Sequence, residues 1–169
     1  MKTRWGEKLD KANVLSEYPR PQLRRESYIN LNGVWQYAIT SADAVPEAMD
    51  GEIIVPFSPE CELSGVNRTV HPNESLWYTR HFDIPSGFNH GRILLHFGAV
   101  DQIATVYING CDAGSHVGGY TAFTIDITPY IRQENVITVK VRDFSDASYH
   151  SRGKQKTKRG GIWYTPRSG

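Results

Sequence analysis

The chain has 169 residues, enough for one domain with a substantial core and too few for two ordinary ones. A formal net charge of +1 excludes a global field that would draw it onto nucleic acid or an anionic membrane. No apolar run approaches the ~20 residues that span a bilayer, and Met1-Lys2-Thr3-Arg4-Trp5-Gly6-Glu7-Lys8 lacks the apolar stretch of a secretory signal. The expected setting is therefore cytoplasmic. The two cysteines, Cys61 and Cys111, lie far apart without metal-ligand spacing, and the expectation is two buried free thiols and no disulfide. In that setting the sequons Asn67-Arg68-Thr69 and Asn73-Glu74-Ser75 read as chance matches.

In chain order, residues 1–25 form a polar leader, broken by Tyr18-Pro19-Arg20-Pro21 and expected to wrap over the surface of a domain spanning 26–169. Ile29–Ile39 introduces a turn and a strand, with Trp35, Tyr37 and Ile39 on one face at period two. Glu52–Val55 is a short strand stopped by Pro56, and a loop runs from Ser58 to Glu74. Leu76–Ile84 is an aromatic-rich strand ended by Pro85. The uninterrupted apolar run in Arg92–Phe97 predicts a strand covered on both faces. Gln102–Ile108 leads into Asn109-Gly110, a strong hairpin signal because both residues tolerate the positive φ of a type I′ turn. The return strand starts around Asp112-Ala113-Gly114. Phe123–Ile127 and Asn135–Arg142 complete the set, the latter alternating Val136, Thr138, Lys140 and Arg142 with Ile137, Val139 and Val141. Thr128-Pro129-Tyr130-Ile131 predicts one helical turn between them. Short strands at regular spacing, punctuated by Gly and Pro, give an all-β sandwich or jelly roll.

The tail differs. Residues 145–159 hold few apolar side chains and include Arg152-Gly153-Lys154-Gln155-Lys156-Thr157-Lys158-Arg159. Gly160-Gly161-Ile162-Trp163-Tyr164-Thr165 then turns aromatic. A stop just after Pro166-Arg167-Ser168-Gly169 reads as a cut within a longer protein.

Six blocks occur in order: Leu31-Asn32-Gly33-Val34-Trp35, Val55-Pro56-Phe57, Trp77-Tyr78-Thr79-Arg80-His81-Phe82, Val106-Tyr107-Ile108-Asn109-Gly110, Gly118-Gly119-Tyr120-Thr121-Ala122-Phe123 and Asn135-Val136-Ile137-Thr138-Val139. Together they resemble the N-terminal sugar-binding domain of glycoside hydrolase family 2, the β-galactosidase, β-glucuronidase and β-mannosidase group. The resemblance implies a galactose-binding-like jelly-roll β-sandwich. It also implies that Ser168-Gly169 opens a further strand, which the chain lacks, and that the full protein continues into an immunoglobulin-like sandwich and a catalytic TIM barrel.

Retaining glycoside hydrolysis needs two carboxylates about 5 Å apart, which the family carries on its barrel. A barrel needs roughly 250 residues. The glutamates here, Glu17, Glu26, Glu47, Glu52, Glu60, Glu62, Glu74 and Glu134 among them, match none of the family's catalytic motifs, so no catalytic residue is expected. There is no Gly-x-Ser-x-Gly elbow, no His-Glu-x-x-His and no phosphate-cradling glycine loop. His71, His81, His90, His96, His116 and His150 show no mutual metal spacing, and His81 and His96, inside strands, read as structural.

The stretch Val141–Tyr149 resembles the loop with which some relatives reach the barrel pocket, and places Asp146 where a sugar-contacting aspartate stands in β-galactosidases. An ionised carboxylate there accepts two strong hydrogen bonds from neighbouring hydroxyls. The alternative is that Asp143, Ser145 and Asp146 cap turns. Arg152, Lys154, Gln155 and Lys158 either meet anionic sugars such as uronates or form a solvated loop. Trp35 is expected in the core, and Trp77 and Trp163 either there or at a domain interface.

The function expected from the resemblance is an accessory domain of a retaining exo-glycosidase acting on β-galactosides or β-glucuronides. Its partners would be the remaining domains of the parent chain and a small-molecule β-glycoside, with the parent a homo-oligomer and neither nucleic acid nor membrane involved. No cofactor is expected in this chain, and the magnesium or sodium that some β-galactosidases need is left to the parent enzyme. A free-standing carbohydrate-binding module is the alternative. Nucleic-acid binding through the basic loop is a third reading, opposed by the balanced charge and by the absence of aromatics within residues 152–159.

Overall fold

The computed structural model describes residues 3–41, 43–88, 90–158 and 160–165, with the side chain of Pro21 left aside. The expectations placed on Arg159 and on Pro166-Arg167-Ser168-Gly169 lie outside the described residues. Eight strands and four short 3₁₀ turns make up the regular structure among them: β1 Gly33–Thr40, β2 Gly51–Val55, β3 Ser75–Phe82, β4 Leu94–Phe97, β5 Ile103–Ile108, β6 Cys111–Val117, β7 Phe123–Asp126 and β8 Asn135–Arg142. They form a six-stranded antiparallel sheet in the order β2-β1-β3-β8-β5-β6 and a two-stranded sheet β4-β7. This is the β-sandwich expected from the sequence.

The two sheets close on one core. Trp35, Ile53, Leu76, Tyr78, Val106, Ile137, Val139 and Val141 supply its buried side from the large sheet, and Leu95 with partly buried Phe97, Phe123 and Ile125 supplies the other. The alternation in β8 is the cleanest case, for Ile137, Val139 and Val141 are buried while Val136, Thr138, Lys140 and Arg142 are not. β3 is central and buried on both faces from Ser75 to Thr79. Its outer face is sealed at Trp77, which is fully buried and donates its indole N–H to Thr40 Oγ1 at 3.1 Å. Lys140 Nζ lies 5.4 Å from the centre of that ring and pairs with Asp43 at 2.9 Å. Trp77 is thus a structural residue, as is Trp35, whose Nε1 donates to Leu31 O at 2.7 Å.

Two expectations are corrected. β4 is not covered on both faces: Leu94 is 42% exposed and His96 is exposed beside it, while Leu95 alone is fully inward. A run of apolar residues in a two-stranded layer has one solvent face whatever its composition. The cysteines are free, but neither is buried; Cys61 is intermediate and Cys111, the first residue of an edge strand, is exposed.

The hairpin and the helical turn fall where the sequence places them. Asn109 and Gly110 have φ of 54° and 81°, the sign a type I′ turn requires at both positions. The turn at Thr128–Tyr130 is 3₁₀. The leader touches the sheet at Val14, which is buried, and Val14 O and Leu15 O accept from Asn32 and Asn30 side chains at 3.4 and 2.9 Å.

The Asn109 turn is held by an amide network. Asn109 Oδ1 accepts from Val136 N at 2.8 Å, and its Nδ2 donates to Tyr130 O and to Asn135 Oδ1 at 2.8 and 3.0 Å. Buried Asn135 also accepts from Arg132 N and donates to Arg132 O at 2.8 and 2.9 Å. Asn135→Ala leaves these partners in a dry environment, so a loss of about 2 kcal/mol is expected. Urea unfolding checks it: the midpoint falls and the slope stays unchanged.

Candidate functional site

Antiparallel register brings five strand ends to one level. Phe97 closes β4 opposite the start of β7 at Phe123, and Ile103 opens β5 opposite both Val117 of β6 and Arg142 of β8. The connections 98–102, 118–122 and 143–165 therefore leave the sandwich together, and chemistry-bearing side chains gather among them. A cavity of about 350 Å³ opens there and runs inward over the large sheet. Its floor is Trp35, Tyr78, Val139 and Val141, and its rim includes Asp101, Tyr120 and Gln155.

Asp101 is the electrostatic centre of this rim. Burial, with Asp143 and then Glu60 adding negative potential, pushes its carboxyl up to about 6. Gly119 lies against it so closely that a Cβ at that position would overlap the Asp101 carboxylate. The Asp101–Gln102 peptide is cis. Burial, followed by the charge of Asp101, raises Tyr120, while the Gln155 side chain hydrogen-bonds it and opposes the shift. Asp143 is buried; its Oδ1 and Oδ2 accept from Ser145 N at 2.6 Å and Ser145 Oγ at 3.1 Å, with His150 Nε2 at 3.9 Å. This is a turn cap around Ser145, whose φ is 46°.

Asp146 is exposed. Its Oδ1 accepts from Thr157 Oγ1 at 2.8 Å and from Thr157 N at 3.3 Å, and these bonds hold its carboxyl below the usual carboxylate range. It thus ties the two arms of the basic loop together while keeping its charge. Within that loop Lys156 N donates to Tyr164 O at 2.9 Å and Tyr164 N to Lys154 O at 3.1 Å. Lys156 Nζ sits 4.3 Å from the Trp163 ring centre, so Trp163 is half-buried under a cation and not in the core. Arg152 is half-buried and Lys154 and Lys158 are exposed.

The sequence marks Asp146, Gln155 and the Gly118-Gly119-Tyr120 block, but not Asp101, which belongs to no motif. The signal available for it is an acid immediately before a strand, facing a Gly-Gly pair that leaves room for it. Among the described residues no group of three His, Cys, Asp or Glu side chains could hold a metal ion, and no helix is long and apolar enough to cross a membrane.

Comparison with known proteins decides the family. Residues 62–164 match the model for glycosyl hydrolases family 2, sugar binding domain. The chain belongs to that family. A β-glucuronidase of Paenibacillus borealis is 31% identical over 149 residues, 83% of this chain and 25% of that protein. A β-galactosidase of Thermoanaerobacter pseudethanolicus is 43% identical over 68 residues, 38% of this chain and 9% of that protein. The Ruminococcus gnavus β-glucuronidase solved with D-glucuronic acid superposes with a TM-score of 0.55 at 26% identity, over 67% of this chain and 21% of that one. The chain spans about a quarter or less of these relatives.

The environment of Asp101 gives a pH prediction. Its folded value of about 6 lies above the ordinary value of about 4 that it takes in the unfolded chain. The folded state therefore binds the extra proton, and the wild type loses stability as pH rises from about 4 to about 6, then stays level. Asp101→Asn removes that penalty. After discounting for the partial exposure of the carboxylate, the variant is expected to be about 1 kcal/mol more stable at pH 7.5 and equal to wild type at pH 3.5. Urea unfolding at the two pH values reads the difference.

Gly119 offers a steric test at the same place. Gly119→Ala forces its methyl group into the Asp101 carboxylate and is expected to cost about 2 kcal/mol. Asp101→Gly on the same chain should recover part of that loss in a thermal melt.

Proposed function

We propose that this chain is the accessory N-terminal domain of a retaining exo-glycosidase that hydrolyses β-galactosides or β-glucuronides. In this reading it scaffolds a catalytic barrel carried elsewhere in the parent chain and completes the sugar subsite from its loop end. The observation that carries the proposal is the family match over 62–164, joined to relatives named β-glucuronidase and β-galactosidase that are about four times longer than the part they share with this chain. The chemistry agrees. Cleavage needs a carboxylate pair about 5 Å apart on a substrate-binding frame, whereas Asp143 here serves a turn and Asp146 a loop tie.

Asp146 is the residue we assign to the sugar. Its charge persists because Thr157 stabilises the ionised form, and it stands exposed at the loop end. Two adjacent hydroxyls donating to such a carboxylate would fix the ring's orientation. The parent works, in this proposal, as a homo-oligomer in the cytoplasm, where free thiols such as exposed Cys111 persist.

The test uses the parent protein. It should release nitrophenol from an aryl β-galactoside or β-glucuronide, and the 169-residue chain alone should release none. In the parent, Asp146→Asn keeps an oxygen for Thr157 but loses the charge, so KM is expected to rise about tenfold or more with Tm unchanged. An unchanged KM assigns Asp146 to the loop tie alone.

A second reading, a free-standing carbohydrate-binding module, draws on the aromatic floor of the cavity at Trp35 and Tyr78. It requires heat on titrating the isolated chain with galactose, glucuronate or cellobiose at millimolar concentration. Calorimetric silence removes it.

A further inference from the structure

Asp143 and Asp146 share one connection at the loop end and are bonded in different ways. Asp143 is buried and engages both carboxylate oxygens with Ser145. Asp146 engages one. Its Oδ1 accepts from the hydroxyl and the amide of Thr157, at 2.8 and 3.3 Å, and no donor from another described residue reaches Oδ2. A carboxylate offers about four acceptor sites, two on each oxygen. Thr157 fills those of Oδ1 and leaves those of Oδ2 to a ligand. An exposed aspartate otherwise exchanges among its rotamers. Two donors from one residue, eleven positions along the chain, oppose that exchange.

Both ends of this contact are themselves braced. On the Asp146 side, Ala147 N donates to Phe144 O at 2.8 Å, and the Asp143 carboxylate caps the turn at Ser145. On the Thr157 side, the preceding residues form a short ladder with the aromatic part of the tail. Tyr164 N donates to Lys154 O at 3.1 Å, and Lys156 N donates to Tyr164 O at 2.9 Å. Lys156 Nζ lies over the Trp163 ring, and the Gln155 side chain hydrogen-bonds Tyr120 of a different loop. Thr157 follows this ladder directly. Its donors are therefore presented from a fixed backbone, which is what a group that orients another side chain requires.

We propose that Thr157 is a positioning residue for the sugar: it holds Asp146 by one oxygen in the binding rotamer, so that the other oxygen meets the substrate hydroxyls. The proposal rests on the assignment of Asp146 to the sugar under the proposed function. A carboxylate ordered before the substrate arrives spares the cost of ordering it on binding, about two- to tenfold in affinity for one side chain. The same donors, with a weaker contribution from the field of Arg152, favour the ionised form, and an ionised acceptor makes the stronger hydrogen bond.

Kinetics of the parent protein on an aryl β-galactoside or β-glucuronide test it. Thr157→Val removes the hydroxyl at nearly constant size and should raise KM about three- to tenfold, with kcat within about twofold of wild type. Thr157→Ala removes the same hydroxyl with less bulk and should match it, whereas Thr157→Ser keeps the hydroxyl and should stay within about twofold of the wild-type KM. In an Asp146→Ala background, with no carboxylate left to hold, Thr157→Val should change KM by less than about twofold. An equal rise in both backgrounds overturns the proposal, because Thr157 then shapes the loop and not the carboxylate. So does a Thr157→Ser variant as impaired as Thr157→Val. A wild-type KM in Thr157→Val, with KM raised in Asp146→Asn, also overturns it and leaves the proposed function standing. A wild-type KM in Asp146→Asn removes the sugar contact itself, and the positioning role with it.

Discussion

The register of β8 between β3 and β5 sets what every other part of the molecule can do. Across these three strands Leu76, Val141 and Ala104 form one row, Tyr78, Val139 and Val106 the next, and both rows face the second sheet. The alternate rows hold Trp77 with Lys140 and Thr79 with Thr138 on the opposite face. A slip by one residue would exchange the faces, turning Lys140 and Thr138 into the core and exposing three valines or isoleucines. Burying the lysine away from Asp43 costs several kcal/mol by desolvation alone. The alternation in β8 thus selects a single register, and that register brings the loops together at one end.

The outer face of the large sheet shows how a central antiparallel strand becomes covered on both sides. Ala38 and Trp77 lie paired on that face, both buried. The Asp43 carboxylate reaches Lys140 at 2.9 Å and Ser75 Oγ at 3.4 Å, holding its loop near Trp77. Lys140 is only 17% exposed, its stem lying along the indole and its charge meeting an acid that remains in water. A polar clamp therefore protects an aromatic residue that a period-two pattern alone would place in solvent.

The strands with strict alternation and the turns with defined chemistry were legible in the sequence: β8, the Asn109-Gly110 hairpin and the Thr128 turn appear with nearly their expected bounds. The second layer was not. β4 and β7 pair across 25 or more residues of intervening chain, and an apolar run such as Ile93-Leu94-Leu95 carries no sign of how many layers cover it. The candidate site was legible only as separate residues. Asp146 could be singled out by likeness to a family loop, but its tie to Thr157 spans a loop whose pairing depends on a bridge between Gln155 and Tyr164. Asp101 acquires its character from Gly119, Asp143 and Glu60, which are distant in sequence, so no local pattern announces it.

Within the loop end, the two carboxylates at stake are tuned in opposite directions by unlike surroundings. Thr157 donates twice to Asp146 and favours its ionised form, whereas burial beside Asp143 and Glu60 favours the protonated form of Asp101. A carboxylate whose ionised form is hydrogen-bonded keeps its charge throughout the physiological range, which describes Asp146. A group that carries a proton near pH 6 donates as well as accepts, and Asp101 stands on the rim of an apolar groove where an uncompensated charge would be costly. The acid–base state of the rim is in this way set by the packing around one carboxyl group.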